Sequence, residues 1–240
     1  MILDCKSVDK LSMGLGAFKA DIFHCLVQVD ASDSIAAVLK EITDTSWISK
    51  LSPICQVGYG NRLKKTAEKI VANCNTVLAG HKTGVFDYQT IGEYIVSREG
   101  RCALGQGFSH NILPLAELWK ERVSNNGGFD FHTESPSEIL IFGEAKYNSN
   151  CNPYNDAIKQ VEGFIADGKD ANEIIDLANI ASDQKFLNSF LVNKKGYAVA
   201  FSIDADEPLT IVKNALQSGE IVNLANYSEF YIIGVIINDK

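Results

Sequence analysis

The sequence contains little that would place the protein in a membrane or outside the cell. Its 240 residues hold no apolar run near the roughly 20 residues that a membrane-spanning helix needs. The opening stretch MILDCKSVDK lacks the basic segment followed by an apolar one that is typical of a secretory signal. We therefore predict a cytoplasmic protein that makes no contact with a membrane.

Cysteine pairs with metal-binding spacing are absent as well. The chain has six cysteines, all far apart and none in a CxxC pair, which argues against a structural zinc site. Thiols stay reduced in a cytosol. We therefore predict six free thiols, in the core or at the surface. They are Cys5, Cys25, Cys55, Cys74, Cys102 and Cys151.

Positive charge is scarce, and the formal net charge is -8. A protein that binds nucleic acid by itself is usually basic, because Lys and Arg neutralise the phosphates. Any nucleic-acid function must therefore rest on a local basic patch or on a partner. One candidate patch is Arg62, Lys64 and Lys65 on a predicted helix over 61–75. The alternative is that these side chains form an ordinary solvated helix face.

Nucleotide-binding loops are missing too. The stretch GHKTG at 80–84 does not have the G-x-x-x-x-G-K-[ST] spacing of a phosphate-binding loop. The glycine pairs in GLGAF, GYGNR and GQGF do not form a dinucleotide fingerprint, and we interpret them as turns. The chain is therefore not expected to contain a helicase motor of its own.

Hydrophobic periodicity predicts an α/β protein with a mixed central sheet flanked by helices. Strands at 196–204 and 229–239, joined by a helix, form a βαβ unit. Near the N-terminus we predict an α+β extension, residues 1–80, that contacts a partner. The main domain would then be 81–240, with the boundary between 75 and 88. Predicted helices cover 34–42, 61–75, 88–100 with a possible cap at Thr90, 113–128, 153–168 and 171–192.

The candidate catalytic residues lie in the stretch GGFDFHTESPSEILIFGEAK, residues 127–146. The segment ESPSE is rich in turn residues and lies between two extended runs, which favours a hairpin. Side chains alternate along a strand, so Glu144 and Lys146 share a face. The hairpin places Asp130 and His132 on the neighbouring strand, with both on one face. Two carboxylates and a lysine are therefore expected to converge at one end of a sheet.

Such a set suits hydrolysis of a phosphodiester. One or two carboxylates hold Mg²⁺ or Mn²⁺ together with phosphate oxygens and water, and Asp130 and Glu144 would supply them. The backbone carbonyl of Ala145 is a candidate third ligand. Lys146 would orient or deprotonate the attacking water and offset negative charge in the transition state. The alternative is an ordinary surface hairpin with an exposed Glu and Lys.

The pattern GFD, then an apolar strand ending in GEAK, resembles the active-site signature of the PD-(D/E)xK nuclease superfamily. Asp130, Glu144 and Lys146 match its three core positions. The resemblance implies a restriction-endonuclease-like core, Mg²⁺ or Mn²⁺ as cofactor, and hydrolase activity. It also implies that Asp130 and Glu144 bind the metal, with Ala145 contributing its carbonyl, and that Asp130, Glu144 and Lys146 are catalytic.

Two flanking elements extend the resemblance. Gln160 in QVEGF is similar to the glutamine of the QxxxY element, with Phe164 in place of the tyrosine, and is implied to be catalytic. Glu93 in IGEYIV is similar to a glutamate that many members add as a metal ligand. Its alternative role is that of a solvated helix residue. Tyr147 is a further candidate, for stacking on a base.

Within the superfamily, the order of these blocks across 88–205 resembles the HamA and AbpA nuclease subunits of Hachiman-type antiphage defence systems. That resemblance implies an effector that cleaves DNA and works with a separately encoded helicase, which fits the acidic net charge. Two alternatives stay open. One is a stand-alone restriction or repair nuclease of the same fold, and the other is a non-catalytic nucleic-acid-binding or interaction protein.

Overall fold

The computed structural model describes residues 1–82, 88, 91–120 and 127–238. The strands are β1 Ile2–Ser7, β2 Asp21–Asp30, β3 Asn111–Ile112, β4 Phe131–Glu134, β5 Leu140–Lys146, β6 Lys195–Ser202 and β7 Glu229–Asn238. The helices are α1 Ala31–Thr43, α2 Pro53–Lys82, α3 Gly92–Phe108, α4 Ala116–Trp119, α5 Tyr154–Ala166, α6 Lys169–Ile180, α7 Gln184–Leu191 and α8 Pro208–Leu216. Within these described ranges, no helix combines the length and apolar character needed to cross a bilayer.

The strands of the described residues form one seven-stranded mixed sheet in the order β1-β2-β7-β6-β5-β4-β3. The central strands β2, β7, β6 and β5 run parallel, whereas β1, β4 and β3 pair antiparallel at the two sides. The predicted βαβ unit is confirmed, with β6 and β7 parallel and α8 between them in the chain. The predicted α/β class with a mixed sheet flanked by helices is therefore confirmed.

The two faces of the sheet carry different side chains, as strand alternation requires. Small side chains of β6, Ala198 and Ala200, face α3, and Gly100 of α3 lets the helix approach closely. A Cβ at Gly100 would lie 2.7 Å from the Cβ of Ala200. The larger Tyr197 and Val199 alternate with them and join the main core, in which α5 and α8 pack.

The N-terminal strands belong to the same sheet as the candidate site. β2 pairs in parallel with β7 along its whole length, from Asp21 opposite Glu229 to Asp30 opposite Asn238. Asp30 then caps α1, since its carboxylate accepts a hydrogen bond from the backbone of Asp33. The division into 1–80 and 81–240 remains a prediction about function, but residues 2–30 do not form a sheet of their own.

Several predicted helices differ in their bounds. Within the helix predicted over 113–128, the described residues are helical only in α4. Leu113 instead donates its N–H to the His132 carbonyl beside β4, and residues 121–126 lie outside the described residues. The helix predicted over 171–192 is two helices, and the Asp183 side chain caps the second. Thr90, the boundary near 83–87 and part of the GHKTG stretch lie outside the described residues.

One pair of cysteines departs from the prediction of six free thiols. Cys5 and Cys25 lie opposite each other in β1 and β2 and form a disulfide, because antiparallel pairing places their side chains together. Four cysteines are free, as predicted. They are Cys55, Cys74, Cys102 and Cys151.

Candidate active site

The hairpin that carries the candidate site forms as predicted. β4 and β5 pair antiparallel, with Phe131 opposite Gly143 and Glu134 opposite Leu140. The connecting turn includes Glu138 in the left-handed region, at φ 62°. Just before β4, the Asp130 N–H donates to the Gly143 carbonyl at 2.8 Å, so Asp130 lies beside β5 although it is outside the strand.

The Asp130 side chain turns along the free side of β5. Its Oδ2 accepts a hydrogen bond from the Ala145 N–H at 2.8 Å. The N–H and C=O of one strand residue point to the same side of the strand. The Ala145 carbonyl therefore points toward the side of β5 where Asp130 lies, as a backbone ligand would require.

Glu144 and Lys146 meet at the end of β5. Lys146 Nζ lies 2.9 Å from Glu144 Oε1 and 3.1 Å from Glu93 Oε1 in the first turn of α3. Glu144 is only 1 % exposed, and its Oε2 is buried without a hydrogen-bond partner. The structure therefore brings Glu93, Glu144 and Lys146 together, with Asp130 beside them. The metal-binding and catalytic roles of these four residues stay predictions.

Burial sets the electrostatics of this cluster. Burial raises the pKa of Asp130 to about 6, against the lowering effects of the Ala145 N–H and the Lys146 charge. Burial, and then the adjacent Asp130 carboxylate, raise the pKa of Glu144 well above its ordinary value. Burial alone would lower the pKa of Lys146, but the Glu144, Glu93 and Asp130 charges raise it above its ordinary value. Lys146 is therefore an ammonium at neutral pH, held between acids that are costly to ionise together.

The donor chemistry fits a hard divalent cation, although the side chains are not preassembled around one. Among the described residues, no group of three or more His, Cys, Asp and Glu side chains is placed to hold a metal ion. The fit rests on Asp130, Glu144 and the Ala145 carbonyl, a set of oxygens suited to Mg²⁺ or Mn²⁺. Within the described part of the chain, the buried Glu144 Oε2 has no N–H or hydroxyl donor, and the neighbouring Asp130 carboxyl can be held beside it only with a proton or a cation. The Lys146 ammonium contacts Glu144 and Glu93, so it must move before an ion can use both carboxylates.

Gln160 is not brought into the cluster by any hydrogen bond among the described residues. It is half-buried on α5, one turn before Phe164. Phe164 packs its ring against Phe129, with centroids 5.3 Å apart, and Phe129 directly precedes Asp130. The aromatic position therefore supports the segment that leads into the site, whereas a catalytic role for Gln160 stays a prediction.

His132 does not contact Asp130, contrary to the prediction that they share a face. Its Nε2 lies 2.7 Å from Glu173 Oε2 on α6, and its ring packs among Trp119, Phe129 and Phe142. The reason is that Asp130 lies in a bend before β4, where strand alternation does not apply. His132 is a fully buried core residue that bonds to α6.

Tyr147 packs onto the first turn of α3. A Cβ at Gly92 would overlap its ring, so the absence of a side chain at Gly92 makes this contact possible. The Tyr88 ring lies edge-on, with centroids 6.4 Å apart. Tyr147 is half-buried by these contacts, so a role in stacking on a base stays a prediction.

The predicted basic patch divides into one structural and two exposed side chains. Arg62 Nη1 donates to the Trp119 carbonyl at 3.0 Å and pairs with Asp176 at 3.2 Å. Arg62 therefore links α2 to α4 and α6. Lys64 and Lys65 are exposed, and a phosphate-binding role remains a prediction for them.

Sequence reasoning missed Glu173 and Lys120, which hold the backbone just before Asp130. The Phe129 N–H donates to Glu173 Oε1 at 3.0 Å, and Lys120 Nζ contacts the Phe129 carbonyl. Neither residue lies in a motif. Only the fold brings α6 next to this segment.

Comparison with known proteins gives no relative, since no family model, no curated protein and no solved structure matches the chain. The candidate active site therefore rests on its own residues and geometry.

Proposed function

We propose that the protein is a metal-dependent nuclease that hydrolyses phosphodiester bonds of DNA. The observation that carries the proposal is the convergence of Asp130, Glu144 and Lys146 at the end of β5, with Nζ 2.9 Å from Glu144 Oε1 and Oδ2 2.8 Å from the Ala145 N. The raised pKa values of Asp130 and the buried Glu144 are also typical of functional sites.

Each residue has a distinct part in this proposal. Asp130, Glu144 and the Ala145 carbonyl would hold Mg²⁺ or Mn²⁺, and Glu93 is close enough to Lys146 to join them after a rearrangement. A divalent ion bound there supplies polarisation of the scissile phosphate and a lower pKa for the attacking water. Lys146, as an ammonium, would stabilise the negative charge of the pentacoordinate transition state and orient the attacking water. Its raised pKa argues against Lys146 as the base that removes the proton.

The proposal also assigns a nuclease superfamily and a type of complex. An α3 glutamate, an antiparallel hairpin entering a parallel β5–β6–β7 group and a following α5 support a PD-(D/E)xK core. The net charge of -8 and the missing phosphate-binding loop support an effector of the HamA and AbpA type. Such an effector would depend on a helicase, encoded nearby, to deliver DNA. A stand-alone restriction or repair nuclease would not.

A non-catalytic interaction protein is the second candidate, and one observation favours it. The Glu144 carboxylate is buried and already paired with Lys146, and the described residues show no three-ligand metal group. In that case the cluster would be a buried ion pair that stabilises the end of β5.

Plasmid cleavage separates the two candidates. Supercoiled plasmid, linear duplex and single-stranded RNA would be incubated with the full chain, alone and co-purified with any helicase encoded beside it, in Mg²⁺, Mn²⁺ or EDTA. We expect EDTA-sensitive DNA cleavage, stronger with the helicase. Cleavage that persists in EDTA, or a complex that never cuts nucleic acid under any of these conditions, would contradict the proposal.

A further inference from the structure

Both backbone polar groups of Phe129, the residue before Asp130, are held by one ion pair. The Phe129 N–H donates to Glu173 Oε1 at 3.0 Å, and its carbonyl accepts from Lys120 Nζ. Lys120 Nζ and Glu173 Oε1 are themselves 2.5 Å apart. The pair therefore fixes the backbone on the N-terminal side of Asp130.

The second oxygen of Glu173 fixes the chain on the other side of Asp130. Glu173 Oε2 lies 2.7 Å from His132 Nε2. An ionised carboxylate only accepts hydrogen bonds, so His132 Nε2 is the donor. One side chain of α6 is thus bonded to residues on both sides of Asp130, one before it and one two positions after it.

The contacts that Glu173 makes with Phe129, His132 and Lys120 are buried. Glu173 is 8 % exposed and His132 is fully buried. A buried carboxylate is tolerated only when it is paired and hydrogen-bonded, and here three donors share two oxygens. Because Asp130 lies outside β4, strand pairing alone does not set the direction of its side chain.

We propose that Glu173 is a positioning residue for the metal site, acting with Lys120 and His132 to hold Asp130 where it meets Ala145 and Glu144. The inference rests on the proposed nuclease function and deepens it. It predicts that the affinity for a divalent cation depends on a carboxylate that never touches the cation.

The chain offers a matched control on the same helix. Asp170 is also a buried carboxylate of α6, and it accepts hydrogen bonds from Tyr197 Oη at 2.8 Å and from Lys195 Nζ. Those partners lie at the start of β6. The Tyr197 ring packs against the Phe129 ring, with centroids 5.8 Å apart, but neither partner hydrogen-bonds to the backbone beside Asp130. Asp170→Asn should therefore lower stability without altering the metal site.

The experiment measures Mn²⁺ affinity of the full chain by the EPR signal of free Mn²⁺, at a temperature well below Tm for every variant. The set is wild type, Glu144→Gln, Glu173→Gln and Asp170→Asn. Glu173→Gln keeps the side-chain shape but turns one oxygen into an NH₂ that opposes Lys120 or His132. We expect Mn²⁺ affinity to fall about tenfold or more, in the range seen for residues that support metal ligands. Asp170→Asn should bind Mn²⁺ as wild type does.

The outcomes separate the two proposals. Wild type that binds Mn²⁺ no better than Glu144→Gln overturns the metal site, and the positioning role with it. Wild-type affinity in Glu173→Gln, or an equal loss in Asp170→Asn, overturns the positioning role alone. If Glu173→Gln does not fold, Lys120→Met tests the same role, because it frees the Phe129 carbonyl and removes the ion-pair partner of Glu173. Weaker Mn²⁺ binding by a folded Lys120→Met then supports the role, and unchanged binding overturns it.

Discussion

Lys146 and Glu144 form an ion pair at the end of β5, with Nζ 2.9 Å from Oε1, while Glu144 Oε2 stays buried without a partner. The ammonium therefore contacts the carboxylate that a divalent cation would need. Without the ion, Lys146 occupies the position beside the Glu144 carboxylate, so it would compete with an incoming ion. Once the ion is bound, Lys146 would act beside it on the phosphate. This double position makes the two roles separable by mutation.

Lys146→Met should abolish cleavage while leaving Mn²⁺ binding intact or several-fold tighter, because the competing ammonium is gone but Asp130 and Glu144 remain. Mn²⁺ titration and plasmid cleavage of the same preparation test this. Lys185→Met is the matched control, since Lys185 forms an exposed pair with Glu138 at 3.2 Å. Loss of Mn²⁺ binding in Lys146→Met would show instead that the lysine holds the site together.

Glu144→Gln should stabilise the metal-free protein above neutral pH and abolish cleavage. The folded pKa of Glu144 is raised, so its favourable contribution is present below the unfolded value and is lost as pH rises through the folded pKa. Glutamine cannot ionise, so we expect Glu144→Gln to be more stable than wild type at pH 8, where wild type must ionise a buried carboxyl. Glutamine is preferred to alanine, which would leave a cavity at this buried position.

Urea unfolding at pH 5 and pH 8 measures the effect, with the exposed Glu138→Gln as control. The stabilisation by Glu144→Gln should grow between the two pH values. A variant less stable than wild type at pH 8 would mean that the ionised Glu144 is a net stabilising partner of Lys146.

The candidate hairpin could be predicted because its determinants are local. The turn residues of ESPSE and the alternation along β5 placed Glu144 and Lys146 on one face, and the hairpin brought Asp130 beside them. The same alternation failed for His132, because Asp130 lies in a bend before the strand begins. Strand alternation therefore predicted side-chain directions inside β5, whereas at Asp130 only the hairpin pairing, and not the alternation, held.

Contacts between distant segments left no signal in the sequence. Glu173 is one acid on an amphipathic helix, and nothing in its surroundings indicates that it meets Phe129. Likewise, the basic run on α2 gave no sign that Arg62 would pair with Asp176. The pairing of β2 with β7 also joins opposite ends of the chain. Such contacts depend on how whole elements pack, which periodicity does not encode.

The stability of the protein should fall as pH drops from 6.5 toward 4, in part because of His110. Burial between Thr133 and Tyr231 lowers the pKa of His110 to about 4. A depressed histidine pKa gives stability that is present above the unfolded value near 6.5 and lost as pH falls through the folded value. His110 alone would account for on the order of 2 to 3 kcal/mol over that interval.

Urea unfolding of wild type and His110→Gln across pH 4 to 8 isolates this contribution, since other groups titrate equally in both. The difference between the two free energies of unfolding should shrink as pH falls. A difference that stays constant with pH would assign the effect to other groups.

The basic side chains of α2 should separate into stability and binding roles. Arg62→Gln removes the hydrogen bond to Trp119 and the pair with Asp176, and should cost about 1 kcal/mol with little effect on DNA binding. Lys64→Gln with Lys65→Gln should leave Tm unchanged, because both side chains are exposed.

If these lysines contact phosphates, the slope of log K against log salt should decrease by about 0.9 for each. Fluorescence anisotropy with a labelled duplex at several salt concentrations measures that slope, with binding by the chain alone expected to be weak at its net charge of -8. An unchanged slope in the double variant, or tight binding by the isolated chain that only Arg62→Gln weakens, would remove the exposed lysines as the DNA contact.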